Sequence, residues 1–523
     1  MKQNTFGKVS YGARKTLSRL TCVAIFSASV MAQSSAETPP AGDQSGPDND
    51  RVAFVGGTVV SPHLASPILD AVVLIRNGKI EAVGPASLTF DDDYQVIDVA
   101  GRFLAPGYID AHMHFFQSGS AFTRPDSFDY SQIQPYKDDR TWVEQHLEDT
   151  SVRYLMSGVT SVVDMCGPSL NYEVRENANK SLFAPTVATA GACISSFAAP
   201  VLDLGDDDPV FQRATSPEDA ITYVREQLKR EPDLIKIIWS PDNGETPQQL
   251  FDLFEHAIRL ARSEGVRVAV HATDLENAKM AIRAGANVLV HGVMTGPIDD
   301  EFIALVKQYH ITYVPTLAVH QKMADIARND LSFSGHEHEL IHPDVLESFR
   351  KAASMPEKAG MMVQMLNKYM PYIDAEEAAI AELSPQEQAI VAQLKGLFAE
   401  EITHVQRDNL KRLYDEGVTL ALGTDAGNPG VLHGGSLLTE MAEWQKAGLP
   451  LHAIFKAATI NGAKVMERET SLGSIEVGKW ADLVVLSKNP LDALQNLGAI
   501  EGVMKHGRYH TVDQLQYRIQ MLP

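Results

Sequence analysis

The stretch Asp110-Ala111-His112-Met113-His114 closes an apolar run, 103–109, that has the length and composition of a buried strand. Side chains alternate along a strand, so His112 and His114 face the same way and can grip one metal ion together. A His-x-His pair alone is weak evidence for a metal, and the weight comes from later residues. Lys236 sits inside the apolar strand 234–238, where a charged amine is costly without a partner. Either a neighbouring carboxylate neutralises it, or CO2 converts it to a carbamate whose two oxygens could bridge a pair of cations. His271 ends the run 266–270 and His291 ends 288–290. Either one alone also fits a hydrogen-bonded core histidine. Asp425 lies in Gly423-Thr424-Asp425-Ala426-Gly427, where the glycines leave the backbone room to bring a carboxylate close to an ion. An Asp in such a turn also serves as a cap or turn former.

These residues converge only if the strands that carry them are parallel neighbours. Apolar strands near 103–114, 160–165, 186–190, 234–238, 266–271, 288–291, 311–314 and 419–425 alternate with helical stretches, the order that builds a parallel sheet with helices outside. Eight in succession predict an α/β fold with a closed (β/α)8 TIM barrel, which does its chemistry at the carboxyl edge of the strands. The candidates then stand at the ends of strands one, four, five, six and eight. The stretch 320–412 is far longer than an ordinary connection and reads as amphipathic helices, 385–410 among them, set over the active end. Its His336, His338 and His342 read as solvated surface histidines rather than metal ligands.

Short β-type runs at 52–55, 71–76, 79–83 and 95–99 are matched by 481–486 and 503–509 near the other end. Both chain ends are therefore expected to build a small β-sandwich domain, 51–106 with 471–523, around a barrel domain at 107–470. At the start, Lys2, Lys8, Arg14, Lys15 and Arg19 precede an apolar stretch, 20–31, and small residues follow. This predicts a signal peptide, 1–36, cleaved after Ala32 or Ala36, and a periplasmic or secreted product. Cys22 follows Arg19-Leu20-Thr21, which lacks the small residues of a lipidation site. The Pro, Gly, Ser and Asp content of 37–50 predicts a flexible leader.

Hydrophobic residues at 44% and charged residues at 21% suit a soluble enzyme, and no internal apolar run is long enough to cross a bilayer. Loss of the five basic residues in 1–36 takes the formal charge from −22 to −27. Such a surface repels nucleic acid and anionic lipid. Three cysteines exclude a disulfide-rich scaffold. After processing only Cys166 and Cys193 remain, as one disulfide or as two buried thiols.

The ordered ligand set, together with Leu104-Ala105-Pro106-Gly107-Tyr108-Ile109-Asp110-Ala111-His112-Met113-His114 and Gly478-Lys479-Trp480-Ala481-Asp482-Leu483-Val484-Val485-Leu486, resembles the amidohydrolase superfamily. Residues 423–436, GTDAGNPGVLHGGS, are most similar to its imidazolonepropionase-like branch, which includes Xaa-Pro (prolidase-like) zinc dipeptidases. The resemblance implies two divalent metal ions, with zinc expected and manganese, cobalt or iron also compatible. His112, His114 and Asp425 would hold the more buried ion and His271 and His291 the more exposed one, with carboxylated Lys236 bridging both. Imidazolonepropionases use a single metal and no carbamate, so Lys236 argues against their reaction.

The expected activity is hydrolysis of an amide C–N bond in a dipeptide or N-acyl amino acid. Asp425 and His291 would be catalytic, and Asp425 would move the proton from the attacking water to the leaving amine. His433, Tyr154 and Arg124 are candidates for orienting substrate. A lactone, ester or aryl amide could meet the same water, and a catalytically inert scaffold is the alternative outside enzymes. A homo-oligomer is expected.

Overall fold

The computed structural model describes residues 50–124, 128–197, 209–241 and 244–522. The signal peptide and all of the leader except Asp50 lie outside the described residues.

Both chain ends build one sheet, as the matched β-runs imply. Its strand order is Arg508–Thr511, Ile500–Lys505, Leu483–Leu486, Phe103–Pro106, Arg51–Val59, Ile68–Arg76 and Lys79–Pro85, and Gln95–Asp98 pairs with Arg51–Val59. Phe103–Pro106 joins the two halves, parallel to Arg51–Val59 and antiparallel to Leu483–Leu486. Phe54, Val73, Leu104, Leu483 and Met504 form its apolar core. The pairings describe one continuous eight-stranded sheet, and the two facing layers of a sandwich are not among them.

The strand expected at 103–114 divides at Gly107. Phe103–Pro106 belongs to the terminal sheet, and Tyr108–Met113 starts a parallel one. The residue at the break must be glycine, because a Cβ there would lie 2.1 Å from Thr160 Oγ1. Tyr108–Met113, Val159–Asp164 and Thr186–Thr189 form a three-stranded parallel sheet. Seven more strands follow in the order Phe211–Arg213, Cys193–Ser195, Leu234–Ile238, Arg267–His271, Val288–Val290, Thr312–Val314 and Thr419–Leu420, again all parallel. The first two were not expected. Hydrogen bonds join the two parallel sheets on both sides, from Asp233 N to Thr189 O (3.0 Å) and from Ala111 N to Leu422 O (2.9 Å).

The intervening helices are amphipathic and capped. In Pro247–Ser263, Leu250, Phe254, Ala257, Ile258 and Ala261 recur at helical spacing on the buried face, and a capping box of Thr246 and Gln249 starts the helix. The long insertion is helical as expected, but its 385–410 stretch breaks at Ala399 into Pro385–Phe398 and Glu400–Asp415. It has a core of its own, including Phe128, Leu366, Tyr369, Val391 and Leu394. Of His336, His338 and His342 only His338 is exposed. His336 is half-buried, and His342 Nδ1 accepts from Asp344 N (3.1 Å) to cap Pro343–Ser354. No helix among the described residues is long and apolar enough to cross a membrane.

One buried ion pair ties the terminal sheet to the parallel strands. Lys505 Nζ lies 2.6 Å from Asp482 Oδ2 and donates to Thr186 Oγ1 (2.5 Å), and Asp482 Oδ1 accepts from His506 N (2.7 Å). Lys505→Met strands the Asp482 carboxylate in this interior and is expected to cost about 3–5 kcal/mol in urea unfolding. The double variant with Asp482→Leu should recover most of that loss. A single variant as stable as the parent would contradict the assignment.

Candidate metal centre

The centre is assembled from strand ends. His112 and His114 leave the buried strand Tyr108–Met113 on one side, as their alternation requires. Their Nε2 atoms lie 3.2 and 2.9 Å from Asp425 Oδ1. Asp425 is brought there by backbone pairing, with its N–H donating to His112 O (2.7 Å) and His114 N donating to Ala426 O (2.8 Å). The glycine ahead of it is obligatory, since a Cβ on Gly423 would lie 2.7 Å from His112 Cβ and from Val314 Cγ1.

Beneath this pairing Asp110, fully buried, accepts from Thr424 Oγ1 (2.6 Å), Thr424 N (3.0 Å) and His112 N (3.2 Å). Burial pushes its pKa up to about 7 against those hydrogen bonds. His114 Nδ1 lies 3.3 Å from Cys166 O, an arrangement that turns Nε2 toward Asp425.

His271 closes Arg267–His271 and His291 follows Val288–Val290, with ring centroids 4.4 Å apart. His291 lies 4.9 Å from the His112 ring, 3.8 Å from Asp425 Oδ2 through Nδ1, and is hydrogen-bonded to Thr316 Oγ1 (2.8 Å). Three of these residues hold left-handed backbone, His291 (φ 69°), Thr316 (φ 46°) and Asp425 (φ 63°). Such strain in non-glycine residues gathers at functional sites.

Lys236 is the middle residue of Leu234–Ile238 and is 3% exposed. Burial pulls its pKa down to about 7 against the pull of Asp425. Among the described residues its ammonium has no ion pair or hydrogen bond, so the carboxylate partner weighed for it is missing there.

Burial lowers His112 to about 3 and His271 to about 4, and holds His291 well below the usual histidine range. Burial alone would raise Asp425, but His112, His114 and His291 hold it well below the usual carboxylate range. Burial thus favours the neutral form of the His112, His271 and His291 imidazoles, the form in which a histidine binds a divalent cation. Both ring nitrogens of His112 and Asp425 Oδ1 are buried without a hydrogen-bond partner. Orphaned atoms of this kind are rare in native interiors, and His112, His114 and Asp425 present ligand atoms within 4.8 Å of one another. The donor set fits a metal.

A cavity of about 310 Å³ opens on His114, Lys236, His271, His291 and Asp425. Two larger clefts of about 530 Å³ lie among the insertion helices and carry none of the six predicted ligands, so chemistry rather than size selects the site. Cys166 and Cys193 also line the 310 Å³ cavity and are joined as a disulfide, with Cα atoms 5.4 Å apart.

The three substrate-orienting candidates are not on this cavity wall. His433 Nε2 is tied to His114 O (2.9 Å) and its ring stacks on Phe115. Tyr154 is fully buried against Phe115 and His433. Arg124 pairs with Asp129 (2.5 Å). The first two support the strand that carries His114, and the third braces a loop.

Thr316, His320, Gln406 and Asn428 line the cavity instead. The sequence holds no periodic signal for them, because they come from helices and turns of the insertion and of the last loop. Thr316 cannot cap the helix Leu317–Ala327 that it precedes. Glu440 does so from a neighbouring helix, accepting from Leu317 N (3.0 Å) and Ala318 N (2.6 Å). Burial raises Glu440 to about 8.

The model of the Amidohydrolase family matches residues 103–509. A 5-methylthioadenosine/S-adenosylhomocysteine deaminase of Teredinibacter turnerae is 36% identical over 107 residues, 17% of this chain and 24% of that protein. An imidazolonepropionase of Treponema denticola is 38% identical over 104 residues, 19% of this chain and 24% of that protein. The chain thus spans about a quarter of the length of these relatives. Among solved structures, a Xaa-Pro dipeptidase with bound methionine in its active site superposes with a TM-score of 0.63 at 22% identity, covering 88% of this chain and all of that one. At that identity the likeness concerns the fold.

Gly423→Ala should drive a methyl group into His112 and reduce zinc retained after reconstitution, read by elemental analysis, to less than half of the parent value. Gly396→Ala, which meets nothing within 4 Å, serves as the neutral control. Equal zinc in the folded Gly423→Ala protein would refute the close-packing account.

Proposed function

Because the chain belongs to the amidohydrolase family, we propose that it is a binuclear metal-dependent hydrolase of amide C–N bonds, acting on a dipeptide or an N-acyl amino acid. One observation carries the reading: His112, His114, Lys236, His271, His291 and Asp425 stand on or directly after parallel strands, five of them on one cavity, with the His112 ring nitrogens and Asp425 Oδ1 buried without a hydrogen bond. The reading takes the two parallel sheets as the staves of one (β/α)8 barrel, supported by the hydrogen bonds that join them on both sides.

In this proposal His112, His114 and Asp425 would hold one divalent ion and His271 and His291 the other. Lys236 would serve both once carboxylated: the neutral amine, available because burial brings its pKa to about 7, adds to the carbon of CO2 and releases one proton. When bound, the two ions would polarise the scissile carbonyl and acidify a water toward a pKa of ~7. Asp425, 3.8 Å from His291, would take the proton of the attacking water and return it to the leaving nitrogen. His291, fixed by Thr316, would hold the carbonyl side, and Asp110 would keep the Asp425 segment in register. We also propose that the protein is exported, a reading that the Cys166–Cys193 disulfide supports because such bonds persist in oxidising compartments.

The test is an assay of the zinc-loaded protein with dipeptides, N-acyl amino acids, aryl amides and lactones. Turnover of the first two classes is expected. Activity confined to lactones would overturn the amide reading, and zinc content near zero would return the chain to an inert scaffold. Asp425→Asn should lower kcat by about 10²–10⁴-fold, the usual worth of a positioned proton acceptor, while most of the metal stays bound. Retained turnover would remove Asp425 from that role.

A further inference from the structure

We propose that Glu440, which does not line the cavity, is a positioning residue for His291: by capping the helix Leu317–Ala327 from a neighbouring helix, it releases the Thr316 hydroxyl to hold the His291 ring. The inference rests on the metal-centre reading above and adds a residue to it.

A serine or threonine directly before a helix normally caps it. Its backbone is extended, and its side-chain oxygen accepts from one of the first free backbone N–H groups. This chain follows the rule at Ser216, Thr246, Ser334, Ser384 and Thr511. Thr316 departs from it. Its backbone is left-handed (φ 46°, ψ 58°), and its side chain makes no capping bond to Leu317–Ala327. The hydroxyl lies instead 2.8 Å from His291 Nδ1.

The helix start is satisfied from elsewhere. Glu440, on Leu437–Lys446 and fully buried, accepts from Leu317 N (3.0 Å) through Oε1 and from Ala318 N (2.6 Å) through Oε2. Trp444 Nε1, one turn further along, donates to Oε1 (2.8 Å). All three partners are donors, which favours the ionised form against burial, as does the positive end of the helix they begin. Without Glu440 the Leu317 and Ala318 N–H groups would be left unpaired in the interior, a costly state. Thr316 could then serve the helix start by taking up the ordinary extended conformation, and the exchange would relieve left-handed backbone in a β-branched residue.

His291 would lose the partner that fixes its ring. Its backbone N donates to Val314 O (2.8 Å), which places the main chain and leaves the ring free to turn. Asp425 Oδ2, 3.8 Å from Nδ1, is too far for a hydrogen bond. The bond at one ring nitrogen is what aims the other at a metal, and loss of such a partner lowers metal affinity about 10–100-fold.

The experiment compares the full chain with Glu440→Leu, Glu440→Gln, Thr316→Val and Met441→Ala, by zinc titration against a competing chelator and by crystal structures grown without added metal. Glu440→Leu should weaken one of two zinc-binding steps by about 10–100-fold and leave the other within about twofold. Its crystal structure should show Thr316 in extended backbone with the hydroxyl on Ala318 N or Val319 N. Glu440→Gln keeps one acceptor oxygen and should fall between. Thr316→Val should match Glu440→Leu in zinc affinity, and the double variant should be no weaker than either single one, since both act on the same bond. Thr316→Val and Glu440→Gln carry the comparison if Glu440→Leu does not fold. Met441→Ala opens a cavity beside the same helix without touching the cap, and should lose stability in urea while keeping both zinc affinities.

Zinc binding unmoved in the Glu440 and Thr316 variants, or Thr316 still left-handed on His291 in the Glu440→Leu crystal, would overturn the inference and leave the metal-centre reading standing. A parent that binds no zinc would overturn that reading, while a Thr316 that leaves His291 in Glu440→Leu would still uphold the coupling of Glu440 to the ring.

Discussion

The structure depends on a short length of parallel pairing, where residues 110–114 of the first parallel strand meet 422–426 of the last. The Asp110 carboxylate lies under it, holding Thr424 through both backbone and side chain while also accepting from His112 N. A buried carboxylate with three donors is far less costly than one left alone. Its removal would leave those donors unpaired in the interior. The His112 and His114 nitrogens meet Asp425 only because this junction holds two chain segments, more than three hundred residues apart, in register.

Rigidity at the junction sustains a site that is locally unfavourable. His291, Thr316 and Asp425 occupy left-handed backbone, where each non-glycine residue costs about 1–3 kcal/mol. The His112 ring nitrogens and Asp425 Oδ1 are buried without a hydrogen bond, and burial disfavours the charged form of the Lys236 amine. Such a constellation persists only where the surroundings over-determine it. Those surroundings are named contacts: Gly423 against His112 and Val314, Thr316 on His291, and Glu440 on the helix start that follows Thr316. Farther out, the Lys505–Asp482 pair and Thr186 fasten the terminal sheet to the strands that carry the ligands.

What could be read from the sequence follows the periodicity of its signals. His112 and His114 were legible as a pair because strand alternation has a period of two and their strand is buried throughout. Lys236, His271 and His291 were legible because each interrupts or ends an apolar run. The fate of 103–114 was not legible. One apolar run serves two sheets, and the break falls at Gly107, where a Cβ would lie 2.1 Å from Thr160 Oγ1. Asp110 stood in the motif with no role, since its partner Thr424 is distant in sequence. His433, Tyr154 and Arg124 were plausible by residue type, but each already has other work, on His114 O, among the rings of Phe115 and His433, and on Asp129. Loop and insertion geometry decides such contacts, and no short-range pattern encodes it.

The same division separates reaction from recognition. The predicted ligands sit on or directly after strands whose register is set by backbone hydrogen bonds, so their positions change little when side chains elsewhere change. The insertion contributes His320, Met323 and Gln406 to the cavity wall, and its helices pack Leu366, Tyr369, Val391 and Leu394 together with Phe128 of an earlier loop. Glu440 anchors the helix Leu317–Ala327 directly after Thr316. A substitution at Asp110 or Gly423 reaches the predicted metal ligands directly, since Asp110 accepts from His112 N and a Cβ on Gly423 would meet His112. The predicted ligands are fixed by strand register, and the residues that face them across the cavity come from several connecting segments.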